Sequence, residues 1–283
     1  MPYANPHSLV STAALAERIG QSSLVIVDAT YFLPMQNRNA RAEYEQKHIP
    51  GAVFFDIDAI ADKANPLPHM LPDAATFAAA VGELGIGNDS RVVVYDAHGM
   101  MSAARAWWSF RVFGHEDVAV LDGGLPKWLA EGRPVEAGTV RPARRSFAAR
   151  LDASQVRDKQ AIRANIRERR EQVVDARAAG RFSGREPEVW PGRRPGHIPG
   201  SLNLPFTDLL DPQSKTFLPA EAIAERFRAA GTDLARPVVT SCGSGVTAAV
   251  LAFALHLIGH RPVALYDGSW AEWGLPGDTP VEP

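Results

Sequence analysis

The only cysteine of the chain lies in a setting that favours nucleophilic chemistry. Cys242 follows the β-branched run 238–241 and precedes the glycine-rich segment 243–247, after which an alanine- and leucine-rich pattern predicts a helix over 247–258. The N–H groups of such a loop and the positive end of the helix dipole stabilise an anion. A cysteine that only fills a core needs no glycines after it, because glycines cost backbone entropy. We therefore expect Cys242 to react as a thiolate inside a cradle of N–H groups.

Composition limits the classes of partner. A chain of 283 residues suits two domains of about 140 residues each. Its 30 basic and 32 acidic residues nearly balance, which indicates neither a nucleic acid nor a membrane surface as partner and favours a small substrate. A single cysteine forms no internal disulfide, and no signal peptide or 18-residue apolar run is present. We expect a cytoplasmic protein.

The chain repeats itself. The motif that contains Asp28 is repeated at Asp175, and the motif that contains His48 is repeated at His197, with offsets of 147 and 149 residues. Two copies indicate a tandem duplication. The strands align so that Asp96 occupies the place of Cys242, and a carboxylate is no sulfur nucleophile. We predict a first domain at 1–137 without the catalytic cysteine, an arginine-rich exposed linker at 138–154 and a catalytic domain at 155–283.

Strand and helix patterns alternate in both copies, which is typical of an α/β protein. The first copy has strand patterns at 24–27, 91–95 and 118–121 and helix patterns at 73–84 and 102–113. Asp175 and Asp267 end strand patterns near the cysteine. Either they order the reactive loop by accepting its N–H groups, or they form turns.

Three motifs resemble a known family. The segment 44–55 is similar to one rhodanese signature and 263–273 to the other, while the loop 242–248 resembles that of 3-mercaptopyruvate sulfurtransferases. Thiosulfate-preferring rhodaneses usually carry larger, basic residues where this chain has Gly243 and Ser244. The resemblance covers essentially the whole chain and implies two tandem rhodanese-like domains, each a mostly parallel sheet flanked by helices.

The resemblance also implies a two-step reaction without metal or other cofactor. Sulfur passes from 3-mercaptopyruvate to Cys242 as a persulfide, pyruvate leaves, and a thiol such as thioredoxin or a small thiol, or cyanide, takes the outer sulfur. Arg181 matches one arginine that binds the donor carboxylate, a pairing that suits a guanidinium. Ser244 and His48 correspond to the groups that move the proton. The expected substrate-binding residues are Arg181, Arg185, Gly243, Gly245, Val246 and Thr247.

Two positions depart from the family pattern. Trp190 stands where a second arginine is expected, so either Arg185, Arg193 or Arg194 takes its place or all three are surface residues. Asn39 stands where an aspartate should support His48. An asparagine orients an imidazole without stabilising its charged form. His48 is therefore either a catalytic group or a turn histidine that repeats as His197.

Other functions fit parts of the motif. The loop 243–248 matches the dinucleotide fingerprint G-x-G-x-x-A, but too little chain follows it for a complete dinucleotide-binding fold. The C-x5-R pattern of cysteine phosphatases is broken, because Ala248 occupies the arginine position. A thiosulfate-preferring sulfurtransferase and a persulfide relay module that turns over no small donor remain as alternatives.

Overall fold

The computed structural model describes residues 2–283 and contains two five-stranded sheets. The first sheet belongs to the N-terminal half of the chain and the second to the C-terminal half. The strands are β1 (Leu9–Val10), β2 (Leu24–Asp28), β3 (Val53–Phe54), β4 (Arg91–Tyr95), β5 (Val118–Leu121), β6 (Val156–Arg157), β7 (Gln172–Asp175), β8 (Leu202–Asn203), β9 (Val238–Ser241) and β10 (Val263–Tyr266).

Helices connect the strands. They are α1 (Thr12–Ala16), α2 (Ala40–Gln46), α3 (Ile57–Ile60), α4 (Ala74–Glu83), α5 (Ser102–Val112), α6 (Gly124–Ala130), α7 (Lys159–Glu168), α8 (Ala179–Phe182), α9 (Ala220–Ala229), α10 (Ala248–Leu257) and α11 (Ser269–Trp273). Within residues 2–283, none of these helices has the length and apolar character needed to cross a membrane.

The two sheets have the same topology. Their orders are β1-β5-β4-β2-β3 and β6-β10-β9-β7-β8, which coincide when five is added to each strand number, and every pair is parallel. Strand β4 thus occupies the place of β9, as the aligned repeats predict. The expected α/β class with parallel sheets flanked by helices is confirmed.

The two halves pack together through one shared core. Helices α5 and α10 are buried on nearly every face, and Trp107 of α5 meets Phe253 of α10 edge-on with ring centroids 4.7 Å apart. Continuous apolar runs such as 248–255 suit a helix buried on all sides. The reactive loop leads directly into α10, so this packing fixes the loop against the first half of the chain.

The predicted linker lies along the first half. Its charged side chains are mostly exposed, but Phe147 is buried against Phe77 and Phe110. Arg145 pairs with Asp89 at 2.6 Å and its N–H donates to the carbonyl of Gly82. The segment is therefore anchored to α4 and α5, while the domain limits stay a prediction.

A half-buried histidine at the contact between α5 and α10 predicts acid sensitivity. Burial, and next the charges of Arg111 and Arg261, lower the pKa of His256 to about 4. An unfolded histidine has a pKa of about 6.5, so the native state binds fewer protons between these values and loses stability as the pH falls from about 6.5 towards 4. We expect a loss on the order of 2 kcal/mol, read as a falling midpoint of thermal unfolding.

The substitution His256→Gln should flatten that part of the stability profile, because glutamine does not titrate. The exposed residue His7 provides the matched control, since His7→Gln leaves the buried contact intact. A profile that falls equally steeply in His256→Gln would contradict the assignment to this residue.

Candidate active site

Cys242 lies where β9 ends, in the loop that leads to α10, which we call the cysteine loop (residues 242–247). The residue is 1% exposed. Its N–H donates to the Ser269 hydroxyl at 3.1 Å, and its carbonyl accepts from the N–H of Trp270 at 2.9 Å. The Ser269 hydroxyl in turn donates to the carbonyl of Tyr266. The start of α11 therefore fixes the backbone on both sides of the sulfur.

The N–H groups that follow Cys242 in the cysteine loop have no acceptor. Within residues 2–283, no carbonyl or side chain accepts from the N–H groups of residues 243–247. The equivalent loop of the first sheet is different, because the fully buried Asp96 accepts from the N–H groups of His98, Met101 and Ala103 at 2.7 to 2.8 Å. The Asp96 carboxylate thus accepts hydrogen bonds from the N–H groups of its own loop in the first sheet. The second loop offers the same kind of donors to an anion on the Cys242 sulfur.

An ion pair between the two halves of the chain lies next to the cysteine loop. Arg105 of α5 is 2% exposed and contacts Asp267, which follows β10, at 2.6 Å. The same guanidinium donates to the carbonyl of His69 at 2.6 Å and approaches that of Gly245 at 3.5 Å. The Asp267 carboxylate also accepts from the N–H of Leu71. Asp267 therefore binds the first half of the chain, which neither of the roles expected from the sequence had included.

The turn of the cysteine loop requires glycine at one position. Gly245 has a φ of +79°, in the left-handed region, and a Cβ there would lie 2.8 Å from Arg105 Nη1 and 3.0 Å from the carbonyl oxygen of Asp267. Gly243 has no such constraint, since its φ is not positive and its nearest neighbours to a Cβ lie at 3.7 Å and beyond.

We expect Gly245→Ala to destabilise the protein by about 2 kcal/mol, because the left-handed conformation alone costs an alanine about 1–2 kcal/mol. The displaced N–H groups should also reduce activity by roughly 100-fold. Thermal unfolding and steady-state kinetics measure the two effects. Gly243→Ala is the matched control and should keep its stability; equal stability of both variants would contradict the strain at Gly245.

Two hydrogen-bond donors face Gly243. The heavy atoms within 4 Å of a Cβ built on this residue, chain neighbours aside, are Nη1 of Arg181 at 3.7 Å and Nε1 of Trp190 at 3.8 Å. Arg181 belongs to α8, and its guanidinium also lies 3.9 Å from Glu188. The structure thus brings Arg181 to the cysteine loop and places Trp190 beside it.

The three arginines considered as replacements for a second carboxylate clamp lie elsewhere. Arg185 is exposed and donates to the Ser183 hydroxyl, so its expected role at the substrate stays a prediction. Arg193 donates to the carbonyls of Ala271 and Pro191. Arg194 donates to the carbonyls of Thr279 and Trp273. These contacts hold the C-terminal segment and leave no guanidinium but that of Arg181 beside Gly243.

His48 also lies away from the cysteine loop. Its side chain is fully buried, Nδ1 lies 2.7 Å from the carbonyl oxygen of Tyr44, and Nε2 lies 3.2 Å from the carboxylate of Glu136. The ring stacks on Tyr44 at 4.2 Å. All of these partners belong to the first half of the chain, so the contacts of His48 favour the structural alternative, and its catalytic role stays a prediction.

A different histidine lies beside the loop. His69 carries the carbonyl bound by Arg105, and its ring meets the ring of Trp190 edge-on at 5.8 Å. Nδ1 lies 2.9 Å from an Asp58 carboxylate oxygen, but the geometry is not that of a hydrogen bond. The pKa of the Asp58 carboxyl is lowered, because the effect of His69 outweighs that of burial. Nε2 is buried and has no partner within residues 2–283.

Little in the sequence marks His69. Its segment does repeat, since Leu71-Pro72 is repeated as Leu218-Pro219, but Lys215, with the same positive φ, lies where the second copy would carry the histidine. A buried histidine with φ of +60° is a feature that only coordinates reveal.

The remaining predicted residues lie in the cysteine loop. Ser244 is 6% exposed and its hydroxyl makes no hydrogen bond within residues 2–283. Val246 packs with Tyr31, Ile57 and Met101 of the first half. Thr247 immediately precedes α10. Both halves of the chain therefore contribute walls to the site.

Comparisons with known proteins agree with this architecture. Residues 11–131 and 158–275 each match the rhodanese-like domain family. The human 3-mercaptopyruvate sulfurtransferase is 48% identical over 266 residues, which are 93% of this chain and 89% of that protein. An Arabidopsis thaliana protein named thiosulfate/3-mercaptopyruvate sulfurtransferase 1, mitochondrial, is 42% identical over 97% of this chain and 78% of its own.

A solved structure has the same fold. The crystal structure of SseA from Escherichia coli, described as a 3-mercaptopyruvate sulfotransferase, superposes with a TM-score of 0.86 at 41% identity and covers 94% of this chain and 99% of that one. The family resemblance seen in the three motifs is confirmed. With two matching domains, two copies of one parallel sheet and a cysteine after the central strand of the second, this chain belongs to the rhodanese family.

Proposed function

We propose that this protein is a sulfurtransferase that moves sulfane sulfur from 3-mercaptopyruvate to a thiol or to cyanide through a persulfide on Cys242. The observation that carries the proposal is the set of unpaired N–H groups at residues 243–247 around a single cysteine, with Arg181 at the edge of the loop. The curated relatives named above support the choice of donor.

In the first step, the Cys242 thiolate attacks the sulfur of 3-mercaptopyruvate. The S–S bond forms while the C–S bond of the donor breaks, and the bonding electrons of that C–S bond remain on the pyruvate carbon as an enolate. The proton on the transferred sulfur then passes to the enolate, which leaves pyruvate and an anionic persulfide. The N–H groups of residues 243–247 stabilise that anion. The counterparts of two of these residues, His98 for Ser244 and Met101 for Thr247, donate to Asp96 in the first sheet.

In the second step, an acceptor thiolate attacks the outer sulfur of the persulfide. The Cys242 S–S bond breaks, the thiolate returns, and the acceptor leaves as a persulfide, or as thiocyanate when cyanide is the acceptor. We propose thioredoxin or a small thiol as the biological acceptor and the reducing cytoplasm as the compartment, since a free thiolate persists there.

Arg181 holds the donor carboxylate in this proposal. Its Nη1 faces Gly243 and its charge complements the carboxylate of an α-keto acid. Glu188 lies nearby, but Arg177 engages that carboxylate more closely, at 2.5 Å, than Arg181 does at 3.9 Å. The Arg181 guanidinium is therefore only weakly neutralised by the protein.

Transfer of the proton requires a titratable group near the cysteine loop whose nitrogen is not already hydrogen-bonded by the protein. We propose that His69, paired with Asp58, and the Ser244 hydroxyl move the proton from the transferred sulfur to the enolate. His48 holds a turn by the contacts described above.

Two histidine variants separate these roles. We expect His69→Gln to lower kcat/KM for 3-mercaptopyruvate by about 100-fold and to alter its pH profile, because the proton carrier is lost. We expect His48→Gln to keep kcat/KM but to unfold at a lower temperature, since it loses buried hydrogen bonds worth about 1–3 kcal/mol. The reverse pattern would return the catalytic role to His48.

The decisive test compares donors with purified protein. Steady-state assays with 3-mercaptopyruvate and with thiosulfate, each with a thiol acceptor, should give a kcat/KM at least about tenfold higher for 3-mercaptopyruvate, a difference of roughly 1.4 kcal/mol. A preference for thiosulfate would support the thiosulfate-preferring alternative; the name of the Arabidopsis relative includes both donors. Absence of turnover with either donor would leave the persulfide relay.

A further inference from the structure

The indole N–H of Trp190 points to a role in the site that the family pattern does not contain. Trp190 Nε1 and Arg181 Nη1 lie at almost equal distances, 3.8 and 3.7 Å, from the Cβ position of Gly243. An indole N–H is a hydrogen-bond donor only and carries no charge at any pH. Two donors of different charge thus face the same side of the cysteine loop.

The indole N–H has no acceptor within residues 2–283. Trp128, Trp270 and Trp273 each donate to a backbone carbonyl, at 2.7, 3.0 and 2.8 Å, but Trp190 makes no such bond although its side chain is half-buried. A donor that is neither used by the protein nor fully exposed is suited to a ligand.

The segment around Trp190 is held in place on both sides. Glu188 is fixed by Arg177, and Arg193 donates to the carbonyls of Pro191 and Ala271. The Trp190 ring itself meets His69 edge-on. The indole is therefore part of a rigid wall rather than a free surface side chain.

We propose that Trp190 replaces the second arginine as a neutral donor, so that the carboxylate of the sulfur donor accepts one hydrogen bond from Arg181 and one from the Trp190 indole. The inference rests on the proposed function, because it concerns how the same site recognises its substrate. It makes Trp190 a specificity-determining residue. Arg181 and Trp190 together supply one positive charge instead of the two that a pair of arginines would supply. The site therefore binds a monocarboxylate and has a lower affinity for a dianion such as thiosulfate.

Two substitutions isolate the indole N–H. Trp190→Phe keeps an aromatic ring against His69 and removes the donor, so KM for 3-mercaptopyruvate should rise about tenfold while kcat stays within about twofold, as expected for a hydrogen bond to a charged group. Trp190→Arg adds a second charge and should lower KM for thiosulfate about fivefold, more than it lowers KM for 3-mercaptopyruvate. Arg144→Gln is the matched control, because Arg144 is exposed and pairs with Glu83 on the surface of the first half.

A binding measurement keeps this test separate from turnover. In a Cys242→Ser background, calorimetric titration with 3-mercaptopyruvate should show about tenfold weaker binding when Trp190 is changed to phenylalanine. Lack of turnover by the wild-type protein would reject the proposed function and leave this titration interpretable. Equal affinity with and without the indole N–H, or no binding of 3-mercaptopyruvate at all, would overturn the role of Trp190.

Discussion

Replacing Cys242 by serine is expected to remove sulfur transfer almost completely. We expect kcat/KM for 3-mercaptopyruvate to fall by at least about 10⁴-fold, because a serine hydroxyl is not ionised near neutral pH and holds no second sulfur. Mass spectrometry of wild-type protein treated with 3-mercaptopyruvate should show the mass of one added sulfur atom, and the serine variant should show none. Residual turnover within tenfold of the wild-type value would contradict a Cys242 persulfide.

A second substitution at this position tests the cradle of N–H groups independently of the chemistry. Asp96 shows that a buried carboxylate fits the equivalent place in the first sheet, where it accepts three backbone N–H groups. We expect Cys242→Asp to be inactive yet to unfold at a higher temperature than Cys242→Ser, because the carboxylate uses the N–H groups of residues 243–247. A lower unfolding temperature than that of the serine variant would mean that the loop N–H groups do not converge on the side chain.

The duplication explains how much of the fold the sequence could predict. Buried strands such as β4 and β9 read as β-branched runs, and the repeated phrases fixed which strand of one half matches which strand of the other. The sequence alone therefore pairs Asp96 with Cys242. The prediction succeeded because two copies with the same succession of patterns fold into the same sheet topology.

The same repeat does not identify the residues of the site. His48 belongs to a repeated motif and so attracted a catalytic role, but the motif is repeated because it forms the same turn twice: His48 bridges to Glu136 and His197 to Glu282. His69 also lies in a repeated segment, but Lys215 takes the corresponding place in the second copy, with the same positive φ. The repeat therefore marks the turn and not the histidine, and only the contacts in the folded chain bring His69 to the site.

The contacts between the two halves could not be predicted from the sequence either. Arg105 and Asp267 are separated by 162 positions and meet only because α5 and α10 pack together. Nothing in local propensity or spacing joins them. Trp190 is a similar case, because its position opposite Gly243 depends on the carbonyls that hold Arg193 and Arg194.

The second large effect is expected at the ion pair between Arg105 and Asp267. Both side chains are almost fully buried, at 2% and 6% exposure, so removing one leaves the other charged in a site with little water. We expect Arg105→Met to destabilise the protein by about 3–5 kcal/mol, which lowers the midpoint of thermal unfolding by roughly 10 °C. Activity should also fall, because the guanidinium holds the carbonyls of His69 and Gly245.

A matched control distinguishes this loss from a general effect of removing an arginine. Arg38 pairs with Glu43 on the surface, where both side chains are more than a third exposed, and Arg38→Met should change stability by less than about 1 kcal/mol. The double variant Arg105→Met with Asp267→Leu removes both buried charges and should recover part of the stability while activity stays low. Because stability and activity then separate, the result would show that this pair positions the loop as well as joining the two halves. Full recovery of activity in the double variant would assign the pair a purely structural role.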